Sequence, residues 1–224
     1  MSLAPRDILT TITPLRLVFW GCLLCLIDVH SNWNFDGQVW KIDILSDAIG
    51  ALMIAWGAFR LSMLRVSGWY SAAMCFVLMV AGLAVPIALH DHLVYDQPQW
   101  ISGALQLAPV VGLIATVVFC MAMRRLSAAA SLVKAERSWK TTTLLVVCIN
   151  LIPLGLFYAA GAIATLRGET PAFQLPPSIA LVLIVLVIPI VHFFVSTLRM
   201  AREAESTANV AEHRAAMPID ASAT

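Results

Sequence analysis

Long runs of apolar residues alternate with short polar segments along the whole chain of 224 residues. Six of these runs approach or reach the length of about 20 residues that a helix needs to cross the hydrocarbon core of a bilayer. They cover residues 14–29, 44–64, 69–89, 101–123, 141–166 and 177–198. The pattern therefore predicts an all-α fold, a polytopic bundle of about six transmembrane helices.

The composition agrees with a chain that is surrounded by lipid. Hydrophobic residues make up 60% of it and charged residues only 12%, whereas a soluble domain carries roughly 25% charged residues. The net charge of +1 gives no electrostatic basis for binding nucleic acid. We predict a membrane domain over residues 1–200 and a mobile tail over residues 201–224, because the tail shows no apolar periodicity.

The basic residues indicate the orientation of the predicted spans. If successive spans alternate in direction, all but two of the 14 Lys and Arg residues fall on one side of the membrane, the exceptions being Lys41 and Arg167. Lys and Arg accumulate in cytoplasmic loops. The distribution therefore predicts that both termini lie in the cytoplasm.

One cytoplasmic segment, residues 124–140, holds five of these basic residues. Each basic residue close to an anionic membrane surface contributes about 1 kcal/mol of attraction. We therefore expect this segment to contact anionic lipids. The alternative is a docking surface for a soluble partner.

The opposite side of the predicted membrane holds a group of acidic and histidine residues. Asp28 and His30 end the first span, and His90 and His92 end the third. Together these four residues offer oxygen and imidazole donors at one depth, which suits a divalent metal ion. A proton or another cation is a second interpretation. Helix capping and other structural roles are a third.

The start of the second predicted span adds two carboxylates to this group. Asp43 and Asp47 are four residues apart, which predicts that they share one helix face. The same face continues through Gly50 and Gly57, where a neighbouring helix can approach closely. We therefore predict ligand or proton binding by the two Asp residues and helix packing by the two Gly residues.

His192 lies inside the sixth predicted span, roughly 10 Å from its cytoplasmic end. An ionisable residue within the membrane is a candidate functional site. The alternative is a core histidine whose hydrogen bonds are satisfied by Ser196, one turn further on, or by a carbonyl of another span. Asn150 precedes Pro153 by about one turn, and a polar amide beside a kinked helix can line a pathway.

Residues 43–50 read Asp-Ile-Leu-Ser-Asp-Ala-Ile-Gly, after an Asp near the end of the first span. This stretch resembles uncharacterised bacterial multi-pass membrane proteins in which Asp-Ile-Leu-Pro-Asp-x-Ile-Gly opens the second span. Ser46 stands where that family has Pro. The resemblance implies that Asp28, Asp43, Asp47 and Gly50 belong to one structural unit in a bacterial cytoplasmic (inner) membrane. It implies no activity.

The sequence contains no G-x-S-x-G, H-E-x-x-H or Walker motif. The leading hypothesis is therefore a binding protein of the transport or sensor type, which takes up a proton, a cation or another small ligand at the outer Asp and His residues. The second is a non-enzymatic accessory or assembly subunit that packs against a membrane-protein partner or against further copies of itself. The third is a membrane metalloprotein.

Overall fold

The computed structural model describes residues 5–25, 30–35, 38–43, 47–64, 66–90, 99–168 and 179–216. The helices of this part of the chain are α1 (Pro5–Leu9), α2 (Ile12–Leu24), α3 (Asp47–Ser62), α4 (Gly68–His90), α5 (Gln99–Ala129), α6 (Val133–Leu145), α7 (Ile152–Leu166) and α8 (Ile179–Ala216). Strands β1 (His30–Phe35) and β2 (Gln38–Asp43) lie between α2 and α3. The predicted all-α helix bundle is confirmed, with this hairpin as an addition.

Five helical stretches of the described residues are long and apolar enough to cross a membrane. They are Asp7–Leu24, Gly68–Ile87, Leu107–Ala129, Val133–Leu166 and Ile184–Val210. The third helix, α3, has 16 residues and rises about 24 Å, which is less than the roughly 30 Å of a hydrocarbon core. A multi-pass membrane protein is therefore supported, while the sixth span stays a prediction.

A β-hairpin stands where the sequence predicts a polar loop before the second span. The two strands are antiparallel, and their register sets His30 opposite Asp43 and Trp33 opposite Trp40. Asp43 closes a strand and Asp47 is the first residue of α3, so the prediction that they share a helix face is wrong. The β-branched and aromatic residues before Asp43 favour a strand, and the helix dipole favours an acidic residue at the start of α3.

Helices α2 and α3 pack at backbone distance because glycine occupies their contact. A methyl group placed on Gly50 would lie 2.8 Å from the carbonyl oxygen of Gly21, and one on Gly57 would lie 2.7 Å from that of Pro14. The end of α2 therefore meets the start of α3, so the two helices run antiparallel. The glycine face of α3 is filled by α2 of the same chain.

Contacts between the other helices show that the start of one helix lies beside the end of another. The Tyr70 hydroxyl at the start of α4 donates to the carbonyl of Leu61 near the end of α3, at 3.2 Å. The Arg125 guanidinium near the end of α5 lies 4.0 Å from the centre of the Trp69 ring. These contacts gather basic residues at one end of the bundle. We call it the basic end and define it by Arg60, Arg124, Arg125, Lys134 and Arg199.

The core of the bundle is built on an aromatic cluster. The Phe193 ring of α8 stacks on Phe119 of α5 at 5.7 Å and meets the edge of Trp139 of α6 at 5.2 Å. Phe19 of α2 lies 6.0 Å from the same ring. Four helices are therefore joined through one side chain, close to the contact between α6 and α8.

The predicted basic segment 124–140 is a helix, a turn and a second helix. Helix α5 ends at Ala129 and α6 begins at Val133. Between them Ser131 has a φ of 59°, a left-handed conformation that reverses the chain in few residues. The tight turn holds α5 and α6 side by side.

Helix α8 has 38 residues and rises about 57 Å, well beyond the thickness of a hydrocarbon core. Its last part, 201–216, belongs to the predicted tail, and Ala204 and Ala208 are buried there. Helix α1 packs against α8. The mobility of residues 201–224 stays a prediction.

Candidate functional site

Hydroxyl and imidazole side chains line the contact between α6 and α8. Ser138 and Thr142 are four residues apart on α6, and His192 and Ser196 are four apart on α8. A spacing of four places both members of a pair on one face of their helix. Since α6 packs against α8, the two polar faces meet inside the bundle.

These side chains form a continuous chain of hydrogen bonds. Thr142 Oγ1 lies 2.9 Å from His192 Nδ1 and 2.7 Å from Ser196 Oγ. Ser196 Oγ lies 2.8 Å from Ser138 Oγ, which is 3.5 Å from Arg199 Nη1. We call these five residues the α6–α8 polar chain.

The middle of the polar chain is buried, and its two ends are more exposed. Thr142 and Ser196 are fully buried and Ser138 is nearly so. His192 is half-buried and Arg199 is exposed. Because a buried hydroxyl needs a partner, each of the three hydroxyls fixes the position of the next.

Arg199 allows the hydrogen bonds to run in one direction, towards His192. A guanidinium can only donate, so Arg199 donates to Ser138. The Ser138 hydroxyl can then donate to Ser196, and Ser196 to Thr142. The Thr142 hydroxyl reaches two acceptors, Nδ1 of a neutral His192 at 2.9 Å and the Ser138 carbonyl oxygen at 3.0 Å.

This second acceptor allows the imidazole to gain a proton with every donor still paired. When Nδ1 is unprotonated, Thr142 donates to it. When Nδ1 carries a proton, it donates to Thr142, whose own hydroxyl turns to the Ser138 carbonyl. One hydroxyl rotation therefore connects the two protonation states of His192.

A π-helical segment, Val146–Leu151, joins α6 to α7 shortly beyond Thr142. At its end the amide of the next residue, Ile152, donates to the carbonyl of Val147, five residues back. Pro153, which has no amide proton, follows immediately. The Asn150 Oδ1 atom is buried there, and no hydrogen-bond partner is found for it in the described part of the chain. Such segments occur frequently at functional sites, so Asn150 is a further polar position in the same helix.

The outer residues predicted from the sequence are placed only in part. Asp28 and His92 lie outside the described residues. His30 and Asp43 face each other across the hairpin, and His90 is the last residue of α4. The hairpin thus brings a histidine and an aspartate position together, at the backbone level.

Asp47 lies close to the end of α2. The Cys25 thiol donates to the Asp47 carbonyl oxygen at 3.6 Å, which connects the last turn of α2 to the first turn of α3. No group of three or more His, Cys, Asp or Glu residues that could hold a metal ion is found in the described ranges. A metal bound by Asp28, His30, His90 and His92 stays a prediction.

The sequence predicted the contact between the two α8 residues of the polar chain, His192 and Ser196, but not the participation of the α6 residues. Ser196 does contact His192, at 3.4 Å from Nδ1, but Thr142 is closer. The signal for Ser138 and Thr142 is that their spacing of four equals that of His192 and Ser196.

Comparison with protein-family models, curated proteins and solved structures gives no match for this chain.

Proposed function

We propose that this chain is a proton-binding membrane protein of the transport or sensor type, in which His192 takes up the proton. The observation that carries the proposal is the unbroken run of hydrogen bonds from His192 Nδ1 to Arg199. An imidazole changes charge within the physiological pH range, which a serine or threonine hydroxyl does not.

The polar chain supplies a route between His192 and the basic end. Each hydroxyl accepts one hydrogen bond and donates another towards His192. The proton that His192 takes up therefore comes from Thr142, and Ser196 and Ser138 each replace the proton lost by the next hydroxyl. Ser138 regains its own proton from water at the exposed end beside Arg199. Arg199 keeps its own protons, because a guanidinium is not deprotonated in proteins. Arg199 instead orients the Ser138 hydroxyl and lies at the exposed end of the route.

We also propose that the basic end faces the cytoplasm of a bacterium, with α3 as the sixth span. The gathering of Arg and Lys at this end supports the orientation. The likeness of residues 43–50 to bacterial membrane proteins supports a bacterial inner membrane. The close contact of α3 with α2 supports its place inside the bundle.

A second candidate function is cation binding at the opposite end. The pairing of His30 with Asp43 in the hairpin favours it, because imidazole and carboxylate are both common cation ligands. An accessory subunit is less well supported. Its predicted docking face on α3, with Gly50 and Gly57, is occupied by α2.

Proton flux into sealed proteoliposomes tests the leading proposal. The protein is reconstituted with a pH-sensitive dye inside, and the internal pH is followed after an external pH jump. For the transport type we expect His192→Gln and Thr142→Val each to lower the flux at least about tenfold, because a single lost hydrogen-bond contact of about 1.4 kcal/mol has this effect on a rate.

Thr197→Val is the matched control. Thr197 is buried like Thr142 and donates to the carbonyl four residues back, at 3.0 Å, but its hydroxyl has no place in the polar chain. Its flux should equal that of the wild type. A wild-type protein without flux would assign the sensor type, and an undiminished flux in His192→Gln would refute transport through His192.

A further inference from the structure

Three basic side chains of α6 share one exposed face near the basic end. Lys134, Arg137 and Lys140 are spaced by three residues and all are exposed. Side chains three apart are neighbours on a helix surface. The opposite face of α6 carries the buried Ser138 and Thr142, so the helix is divided into a buried hydroxyl face and an exposed cationic face.

The other two basic residues of segment 124–140 are already engaged. Arg124 Nε lies 3.5 Å from Glu136 Oε1. The Arg125 guanidinium lies over the Trp69 ring, in a cation–π contact. Neither is a free cation for a further ligand.

The carboxylates close to the cationic face are engaged as well. Glu136 pairs with Arg124. Glu203 of α8 accepts the backbone amides of Lys134 at 3.0 Å and Ala135 at 2.6 Å. Both acids thus have partners other than the side chains of Lys134, Arg137 and Lys140.

Exposed apolar side chains flank the cationic face at both ends, and Leu144 is the one that lies towards the middle of the bundle. Leu144, one turn beyond Lys140, is 56% exposed, and Val133 at the other end is 54% exposed. The face from Lys134 to Leu144 is about 15 Å long. A phospholipid matches this order, with its phosphate at the cations and its acyl chains at Leu144, whereas an acidic soluble protein matches only the cationic part.

We infer that the α6 cationic face, defined by Lys134, Arg137 and Lys140, binds the headgroup phosphate of an anionic phospholipid in the surrounding leaflet. This lipid contact is independent of proton binding by His192. It refines the sequence-based expectation for residues 124–140, because the described part of the chain separates these three cations from the two that are already engaged.

Spin-labelled lipids test the inference in the full-length protein. The chain is reconstituted in phosphatidylcholine bilayers, and the association of labelled phosphatidylglycerol relative to labelled phosphatidylcholine is measured by electron spin resonance. We expect the wild type to prefer phosphatidylglycerol. Arg137→Gln/Lys140→Gln should lower this preference roughly fivefold for each charge removed, which corresponds to about 1 kcal/mol per charge.

Two further variants separate this face from the net charge of the protein. Arg124→Gln/Arg125→Gln removes two positive charges at the same end and should keep the preference. Arg137→Lys/Lys140→Arg changes the same two side chains but keeps both charges, and it should also keep the preference. A loss seen only in Arg137→Gln/Lys140→Gln then follows from the charges and not from the disturbance of these two positions. An equal loss in both Gln pairs would overturn the inference, and so would a wild type without any preference, which would leave the face to an acidic protein partner.

Discussion

At the residue scale, the start of α6 shows how one side chain joins two distant parts of the chain. The residue that precedes α6 is Leu132, which has no side-chain acceptor for the first amides of the helix. Glu203 of α8 supplies both oxygens instead. Its negative charge also lies at the positive end of the helix dipole. The same carboxylate therefore holds α6 beside α8, next to the polar chain.

Glu203→Gln should lower the free energy of unfolding by about 1 kcal/mol, because it removes a charged cap from a helix N-terminus. Glu205→Gln is the control, since Glu205 is an exposed carboxylate on the same helix. Thermal unfolding of both variants in the same detergent measures the difference. Equal stability of the two variants would show that the cap has no energetic role.

At the scale of elements, the contact between α2 and α3 depends on the absence of side chains. Gly57 lies against the backbone of Pro14 and the side chain of Val18. A methyl group added to Gly112 in α5 would instead enter open space, with no atom of a neighbouring element within 4 Å of it. These two glycines therefore differ in what an added methyl group would meet.

Gly57→Ala should destabilise the protein by about 1–3 kcal/mol, the usual cost of overpacking. Gly112→Ala should leave stability unchanged or raise it by up to about 1 kcal/mol, since alanine has the higher helix propensity. Reversible unfolding in mixed micelles compares the two. A loss of stability in Gly112→Ala as large as in Gly57→Ala would contradict close packing between α2 and α3.

The apolar runs of the sequence were sufficient to predict the membrane helices. They were insufficient for the segments between the helices and for the continuation of α8 through residues 201–216. Long apolar runs predict membrane helices because lipid demands them. The hairpin was missed, although Asp36-Gly37 between Phe35 and Gln38 is a strong turn signal. The predicted partners of His192 were Ser196 of the same helix or an unspecified carbonyl of another span. Thr142 was missed, because its contact with His192 depends on how two helices pack, and sequence spacing describes one helix at a time.

At the scale of the whole molecule, the described core and the basic residues lie together. The aromatic cluster, the polar chain and the Glu203 cap all join α8 to α5 or α6 near the basic end. In contrast, α7 has exposed apolar side chains such as Leu156 and Ile163, which suit contact with lipid. The molecule thus combines a firmly packed end, which carries the proposed proton site, with helices that face the bilayer.

The most direct test of the central claim is the protonation of His192 itself, followed by nitrogen NMR of histidine-labelled protein in nanodiscs. The chain has five histidines, and the signal that is lost in His192→Gln assigns the residue. We predict that His192 takes up a proton reversibly as the pH is lowered. Thr142→Val should shift the midpoint of this titration, because it removes a hydrogen-bond partner of the imidazole, whereas Thr197→Val should not. A His192 signal that does not titrate, or that responds equally to both substitutions, would contradict the proton-binding role of the polar chain.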